Sequence, residues 1–350
     1  MSPAALLLLS VSAAGPHDTP YDRGRFTLDV ANDDFGSDVD EAFTSGVEVQ
    51  FRITPREDLS LFGWLDEARR VREYWGLFLG HAMYTPALLQ VTDLEVLKND
   101  RRYAGWVHGG LSAEVAVAGS PLLPSGFAFY RFRLDVGATG PQTETATLQR
   151  YWHAYIRDVL NRRRLPEDPK GWPIYQVPNH WGVVLSARQE MEAFRWTLED
   201  AGLRRAVGAQ LGVRLATLSG VRVGNMWVDA HVGATVRAGL MPRLVFDEMS
   251  LPLLGAGERA DVPVAVYGFA SFRLVGSAYD ALLDGPPGAS GPYPERNHVM
   301  TRLEAGFALR FSAVEFMFRH VTLSPDLAAP PPGGVWIQNW GRFTLSFAFY

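Results

Sequence analysis

The chain has 350 residues, a formal net charge of -5, no cysteine and 12% aromatic residues, and its mean hydropathy is -0.04. This hydropathy excludes a helical membrane protein, and the lack of cysteine excludes disulfide frameworks and thiolate zinc sites. The acidic balance argues against nucleic acid as a partner.

The N-terminus, MSPAALLLLSVSAAG, is the one long apolar run, and it is too short to span a bilayer as a helix. Its length and the small residues at its end are typical of a secretory signal peptide. We therefore predict a signal peptide over 1–14 and a single domain over 15–350. An ordinary apolar N-terminus is the alternative, because no Lys or Arg precedes the run.

Twelve segments with strand character follow, and many have about ten residues or more, which is longer than the usual soluble strand. Tilted strands that cross a bilayer need this length. The segments are 25–33, 43–53, 72–83, 102–116, 127–139, 181–197, 205–218, 224–238, 262–277, 297–312, 314–324 and 338–350.

The last segment shows the alternation most clearly. In GRFTLSFAFY, Phe343, Leu345, Phe347 and Phe349 share one face, while Thr344, Ser346, Ala348 and Tyr350 share the other. One face suits lipid and the other a polar lumen. The fold class we predict is all-β, a transmembrane outer-membrane β-barrel of about 12 antiparallel strands; a soluble β-sandwich or barrel is the alternative.

One segment breaks the strand pattern. Residues 144–164 (ETATLQRYWHAYIRDVLNRRR) contain no Gly or Pro, and their apolar positions recur at helical spacing. Gln149 and His153 stand at i and i+4, so they share one face of the predicted helix.

The strand count predicts where this helix lies. With an even number of strands both termini face the periplasm, so the odd-numbered connections lie outside the cell. Connections one, three and five are 34–42, 84–101 and 140–180, and the helix belongs to the fifth. The first, with its flank, carries NDDFGSDVDE, whose carboxylates are oxygen ligands of the kind calcium takes; taken alone, such a stretch is more often an acidic solvated turn.

Seven motifs resemble, in order, those of the outer-membrane lipid A 3'-O-deacylases of the LpxR type. They are VANDD (30–34), FTSG (43–46), MYTP (83–86), RRYAGWVHGGL (101–111), DVGATGP (135–141), LQRYWH (148–153) and GWPIYQVPNHWG (171–182). The resemblance covers nearly the whole chain and implies a twelve-stranded barrel that removes the 3' acyloxyacyl group of lipid A and depends on calcium.

The resemblance also implies which residues form the site. Asn32, Thr44, Gln149 and His153 match the catalytic positions of the family, and Asp33 matches its metal ligand. Where the family carries a glutamate beyond the histidine, this chain has Asp158 and Val159. We expect His153 to activate water as a general base, since no nucleophilic serine motif appears.

We further expect Tyr84, Arg157 and Arg162 to contact lipopolysaccharide, the two arginines at its phosphates. The expected protein is an outer-membrane monomer among membrane lipids. A non-catalytic, porin-like barrel and a barrel phospholipase or esterase that acts on another lipid ester remain as alternatives.

Overall fold

The computed structural model describes residues 23–33, 42–56, 59–63, 70–158, 169–198, 200–242, 244–246, 249–251, 264–329 and 337–349. Twelve antiparallel strands close into one barrel, which confirms the predicted fold class. The predicted signal peptide lies outside the described residues. The barrel strands are β1 (Gly24–Asn32), β2 (Ala42–Ile53), β3 (Arg70–Thr85), β4 (Ala104–Ala118), β5 (Phe127–Thr139), β6 (His180–Leu198), β7 (Ala209–Gly224), β8 (Trp227–Pro242), β11 (Val264–Asp280), β12 (Val299–Phe311), β13 (Val314–Leu323) and β14 (Gln338–Phe349).

Alternation along each strand separates an apolar outer face from a polar lumen. On β3, Leu77 and Leu79 are 60% and 65% exposed, whereas Tyr74 and Phe78 on the other face of the same strand are buried inside the barrel. Because side chains point to opposite faces with period two, exposed apolar residues on the outside form the surface that lipid covers.

The lumen is filled by paired charges. Glu114 accepts hydrogen bonds from Arg131 and lies 3.3 Å from the guanidinium of Arg52. Glu304 is contacted in the same way by arginines of three strands, namely Arg273, Arg302 and Arg319. Each of these buried carboxylates therefore has opposite charges beside it, which offsets the cost of removing it from water.

Four α-helices accompany the described strands: α1 (Leu94–Leu97), α2 (Thr145–Asp158), α3 (Ala201–Val207) and α4 (Ala281–Asp284). None of the described helices combines the length and the apolar character that crossing a membrane requires. The predicted start of the seventh strand at 205 was wrong, since α3 occupies this position. Asp200 Oδ1 accepts from the Leu203 amide at 2.9 Å, which caps α3, and Gly208 ends it at φ 66°.

A short hairpin packs inside the lumen at the end opposite α2. It consists of β9 (Leu244–Phe246) and β10 (Met249–Leu251), in the connection between β8 and β11. Leu244 and Phe246 pack against inward-facing rings of β3 and β5, and Phe246 stacks on Phe129 at a centroid distance of 5.0 Å. We call residues Leu244–Phe246 the plug.

The antiparallel order places the connections after β1, β3 and β5 at one end of the barrel. This end carries α1 and α2, and it is here called the helical rim. The prediction that these three connections meet at one rim is therefore confirmed for the part of the chain that the structure describes.

Candidate active site

One row of residues runs across the first four strands near the helical rim. Asn32 pairs with Ser45, Ser45 pairs with Met83, and Met83 pairs with Gly105. Residues paired side by side face the same side of a sheet, and on β3 this side is that of Leu77 and Leu79. The row therefore lies on the outer face of the barrel.

Helix α2 lies against this outer row. Ala146 packs against a buried cluster of Met83, Leu89, Tyr103 and Trp172. Thr145 Oγ1 is 3.0 Å from His81 Nε2, and His81 is also an outward residue of β3. A Cβ atom at Gly105 would collide with Oγ1 of Thr145, so the missing side chain lets the helix approach the wall closely.

Gln149 and His153 lie on the side of α2 that faces the wall. They follow Ala146 at positions i+3 and i+7, which share one helical face. Gln149 is fully buried and His153 is 3% exposed. The Nε1 group of Trp172 donates a hydrogen bond of 2.6 Å to Gln149 Oε1. The structure thus holds the amide and the imidazole between the helix and the outer side of the barrel.

The strand ends contribute a second group of buried polar side chains. Asn32, Asp33, Thr44 and Thr85 are each exposed by 9% or less. Pairing between β2 and β3 shifts register between Phe43 and Ser45, so Thr44 is the extra residue of a bulge. Its Oγ1 lies 2.6 Å from Thr85 Oγ1. The bulge re-aims Thr44 beside the row that begins at Asn32.

The donor types fit calcium. A hard cation takes carboxylate, amide and hydroxyl oxygens, and Asp33, Asn32 and Thr44 supply one of each at a buried strand end. Within the described ranges, no group of three or more His, Asp or Glu side chains is placed to hold a metal. The acidic residues 34–41 of the predicted calcium loop lie outside those ranges.

The structure does not bring Tyr84 to this site. Tyr84 follows the inward alternation of β3, and its ring contacts Phe43 at 5.6 Å and Arg101 at 5.7 Å on the lumen side. Asp158 is exposed at the end of α2. The Arg157 side chain and all of Arg162 lie outside what the structure describes.

A separate cavity of about 510 Å³ lies in the lumen on the other side of the wall. Its charged lining is paired: Arg133 binds Glu48 at 3.0 Å, and Asp135 lies 3.1 Å from His108 Nδ1. The candidate site and this cavity are therefore on opposite faces of the same strands.

Three contributors to the site were not predicted: Trp172, Gly105 and Thr85. Each stands inside one of the seven motifs, so the motif order did carry the signal. The contact between Trp172 and Gln149 joins residues 23 positions apart, which helical periodicity alone does not indicate.

Comparison with known proteins assigns the chain to a family. The family model described as outer membrane protein LpxR matches residues 2–349. Among solved structures, LpxR from Salmonella typhimurium matches with a TM-score of 0.67 and 15% identity, over 93% of this chain and 100% of that chain. The β-domain of the Bordetella autotransporter BrkA matches with a TM-score of 0.42 and 9% identity, over 94% of this chain and 100% of that chain.

No curated protein matches the sequence. The family model nevertheless spans almost the whole chain, and the Salmonella structure has the same barrel fold. The protein is accordingly located in the outer membrane, and the chain belongs to the LpxR family of outer-membrane proteins.

Proposed function

We propose that the protein is a lipid A deacylase, a carboxylic ester hydrolase that removes the 3'-O-linked acyloxyacyl group and uses calcium. Its family supports this assignment. The observation that carries it is the burial of Gln149 and His153 between α2 and the outer face of the wall. An ester of a membrane lipid lies outside the barrel near the interface, so groups on this face reach it, whereas groups in the lumen do not.

His153 acts as the general base. It takes a proton from water, the water oxygen attacks the ester carbonyl, and the proton passes to the sugar oxygen as the acyl C–O bond breaks. The products are a carboxylic acid and a free 3'-hydroxyl group. Gln149 is positioned by Trp172, which binds Oε1 and so turns the amide NH₂ group away from the indole.

The strand ends form the other side of the site. Asp33 would hold calcium through its carboxylate, with Asn32 and Thr44 as neutral oxygen neighbours. A calcium ion held by these residues would supply Lewis acidity to the site. The hydroxyl of Thr85 orients Thr44 through the 2.6 Å contact between the two Oγ1 atoms.

The helical rim faces the outside of the cell in this proposal. Lipopolysaccharide occupies the outer leaflet, and the connections after β1, β3 and β5 then lie on its side of the membrane. Arg157 and Arg162, from the end of α2 onward, meet the lipid A phosphates. The protein acts as a monomer, since all proposed groups belong to one chain.

Mass spectrometry of lipid A tests the proposal. Purified protein with calcium is expected to remove the mass of the 3' acyloxyacyl group and to spare amide-linked chains and glycerophospholipids. His153→Asn is expected to lower the rate by about a hundredfold or more, the usual scale for loss of a general base. Arg150→Gln, on the exposed side of the same helix, is the matched control and keeps the wild-type rate.

Loss of a different chain, or release of fatty acid from glycerophospholipids, would assign another lipid ester to the same site. A wild-type protein without hydrolytic activity would leave the non-catalytic barrel as the correct interpretation.

A further inference from the structure

Helix α2 has an apolar face, on the side away from the site, that the described residues leave exposed. Leu148, Tyr151, Trp152 and Tyr155 are 51%, 72%, 47% and 48% exposed, and we call them the aromatic face. Trp152 and Tyr155 stack at a centroid distance of 6.0 Å. At 3.6 residues per turn, Leu148, Tyr151 and Tyr155 point away from the face of Ala146, Gln149 and His153 that packs on the wall, and Trp152 lies at the border between the two faces.

The aromatic face therefore points away from the barrel, toward the space that surrounds the outer wall. Thr145 contacts His81, which is two residues along β3 from Leu79, and Leu79 is 65% exposed on the outer surface. The first turn of α2 is thus level with the upper edge of the lipid-facing band.

A second contact also places the upper edge of the lipid-facing band beside α2. Gln142, in the turn that leads into α2, donates from its backbone amide to Asn179 Oδ1 at 2.9 Å, and β6 begins at the next residue. Trp181, the second residue of β6, is 68% exposed and shares the outer face with Val183 and Leu185. The lipid-facing band therefore continues up to the start of α2.

The residue types agree with this position. Tyrosine and tryptophan combine an apolar ring with one polar group, and they are enriched where acyl chains meet headgroups. The flank of α2 between the aromatic face and the wall carries Thr147 and the exposed Arg150, which suits headgroups and water. An apolar face, a polar flank and a position at the membrane edge are the features of an interfacial helix.

We propose that the aromatic face of α2 docks into the membrane lipid beside the barrel, with its rings at the boundary between acyl chains and headgroups. The occupant is lipid rather than a second copy of the chain, because the face is continuous with the lipid-covered wall. This contact keeps the gap between α2 and the wall at the level of the membrane surface, and it does not depend on which reaction occurs there.

Site-specific fluorescence quenching tests the proposal. The sequence has no native cysteine, so a thiol-reactive probe labels only the cysteine that is introduced. Tyr151→Cys and Tyr155→Cys are each labelled with a nitrobenzoxadiazole probe, with Arg150→Cys as the matched control on the polar flank. The labelled proteins are folded into phosphatidylcholine vesicles that contain lipids spin-labelled near the top of the acyl chain. The fold of each variant is verified by electrophoresis in SDS, in which a folded barrel migrates differently before and after heating.

Probes at 151 and 155 are expected to be quenched clearly more than the probe at 150. Equal quenching at all three positions would overturn the proposal. The proposal would also be overturned if probes on different protein molecules quenched each other while the spin-labelled lipid quenched positions 151 and 155 no more than position 150. That result would assign the face to a second copy of the chain.

A second measurement rests on the proposed function. Replacing Tyr151, Trp152 and Tyr155 together by Ser is expected to slow deacylation of lipid A in vesicles by about tenfold more than in detergent micelles, because membrane binding scales with buried apolar area. Equal slowing in both media would contradict a lipid contact. A wild-type protein without activity would contradict the proposed function. The lipid contact would then be tested by the quenching measurement alone.

Discussion

The indole of Trp172 and the amide of Gln149 are joined by a 2.6 Å hydrogen bond from Nε1 to Oε1. Trp172 is itself buried against Tyr103, with ring centroids 4.8 Å apart, and Tyr103 OH donates to the Leu89 carbonyl. Gln149 is therefore oriented by a chain of contacts that begins in the connection between β3 and β4. The Gln149 amide of α2 is tied to the wall through a residue from a different part of the fifth connection.

Trp172→Phe is expected to keep the barrel folded and to lower the deacylation rate by about tenfold, because the ring still packs but a hydrogen bond of about 1.4 kcal/mol is lost. Gln149→Ala is expected to have a similar effect, and the double variant little more than either single one, since both remove the same contact. Rates on lipid A measure this. Independent, multiplied losses would contradict the coupling.

The barrel could be predicted from the sequence because strand alternation is a local signal. Leu77 and Leu79 face lipid while Phe78 faces the lumen, and this pattern depends only on period two. The same alternation also indicates that Tyr84 points inward. The expectation that Tyr84 contacts the substrate came from the motif MYTP, and the structure instead places its ring beside Phe43 and Arg101.

The site was predicted only in part, because its assembly depends on contacts between distant segments. Gln149 and His153 share a face by helical spacing, which the sequence shows. That this face meets the outer wall depends on Gly105 and Met83, far away in the chain. The plug was missed because short apolar runs have no periodicity that distinguishes them from loops.

The reaction is expected to require calcium. A chelator is expected to abolish deacylation and added calcium to restore it, whereas magnesium is expected to restore little because it demands a small octahedral site. Asp33→Asn is expected to mimic chelation, while Asp38→Asn and Asp40→Asn have smaller effects. Calcium is also expected to raise the unfolding temperature of the wild type and not of Asp33→Asn, since a ligand stabilises the state that binds it. Full activity in chelator would exclude calcium from the reaction.

A buried carboxyl in the connection between β3 and β4 makes the rim sensitive to pH. Asp100 is 1% exposed and accepts from the amides of Ala87 and Arg101 at 2.8 and 2.7 Å. Burial raises its pKa from 3.8 to about 6. The folded connection thus binds this proton more tightly than the unfolded chain, so the stabilisation is complete below pH 3.8 and is lost as pH rises through about 6.

Hydrogen exchange over residues 87–103, corrected for the intrinsic rate, is expected to show stronger protection at pH 5 than at pH 7.5. Asp100→Asn is expected to remove this difference, because its side chain does not titrate. Protection in the wild type that stays constant over this range would contradict the role of Asp100.

The plug provides a test of the porin-like alternative. Leu244 and Phe246 are buried among inward-facing rings, so the plug fills part of the described lumen at that end. Wild-type protein in planar bilayers is expected to show no stable conductance. Replacing Leu244, Val245 and Phe246 by Gly is expected to produce open-channel events, since the ring contacts with Phe129 are lost. Stable wild-type conductance would support the porin-like alternative.

Gly105 provides a test of the close contact between α2 and the wall. Gly105→Ala is expected to keep the barrel and to lower deacylation by about a hundredfold, the scale on which a displacement of 1 Å acts on catalysis, because the new methyl group meets Thr145. Gly276→Ala is the matched control: this glycine also faces outward from a barrel strand, and a Cβ atom there meets nothing within 4 Å.

A second substitution, at Thr145, shows whether Gly105→Ala acts by displacing α2 or by damaging β4. Thr145→Gly removes two of the three nearest atoms that the methyl group introduced by Gly105→Ala would strike, while Thr143 Oγ1, 2.6 Å from that methyl position, remains. The double variant is therefore expected to recover part of the lost activity. Thr145→Gly alone loses the contact with His81 and is expected to be less active than wild type. A double variant that is no more active than Gly105→Ala would mean that the alanine acts through β4 itself or through Thr143, and the contact between Gly105 and Thr145 would then not be what holds α2 on the wall.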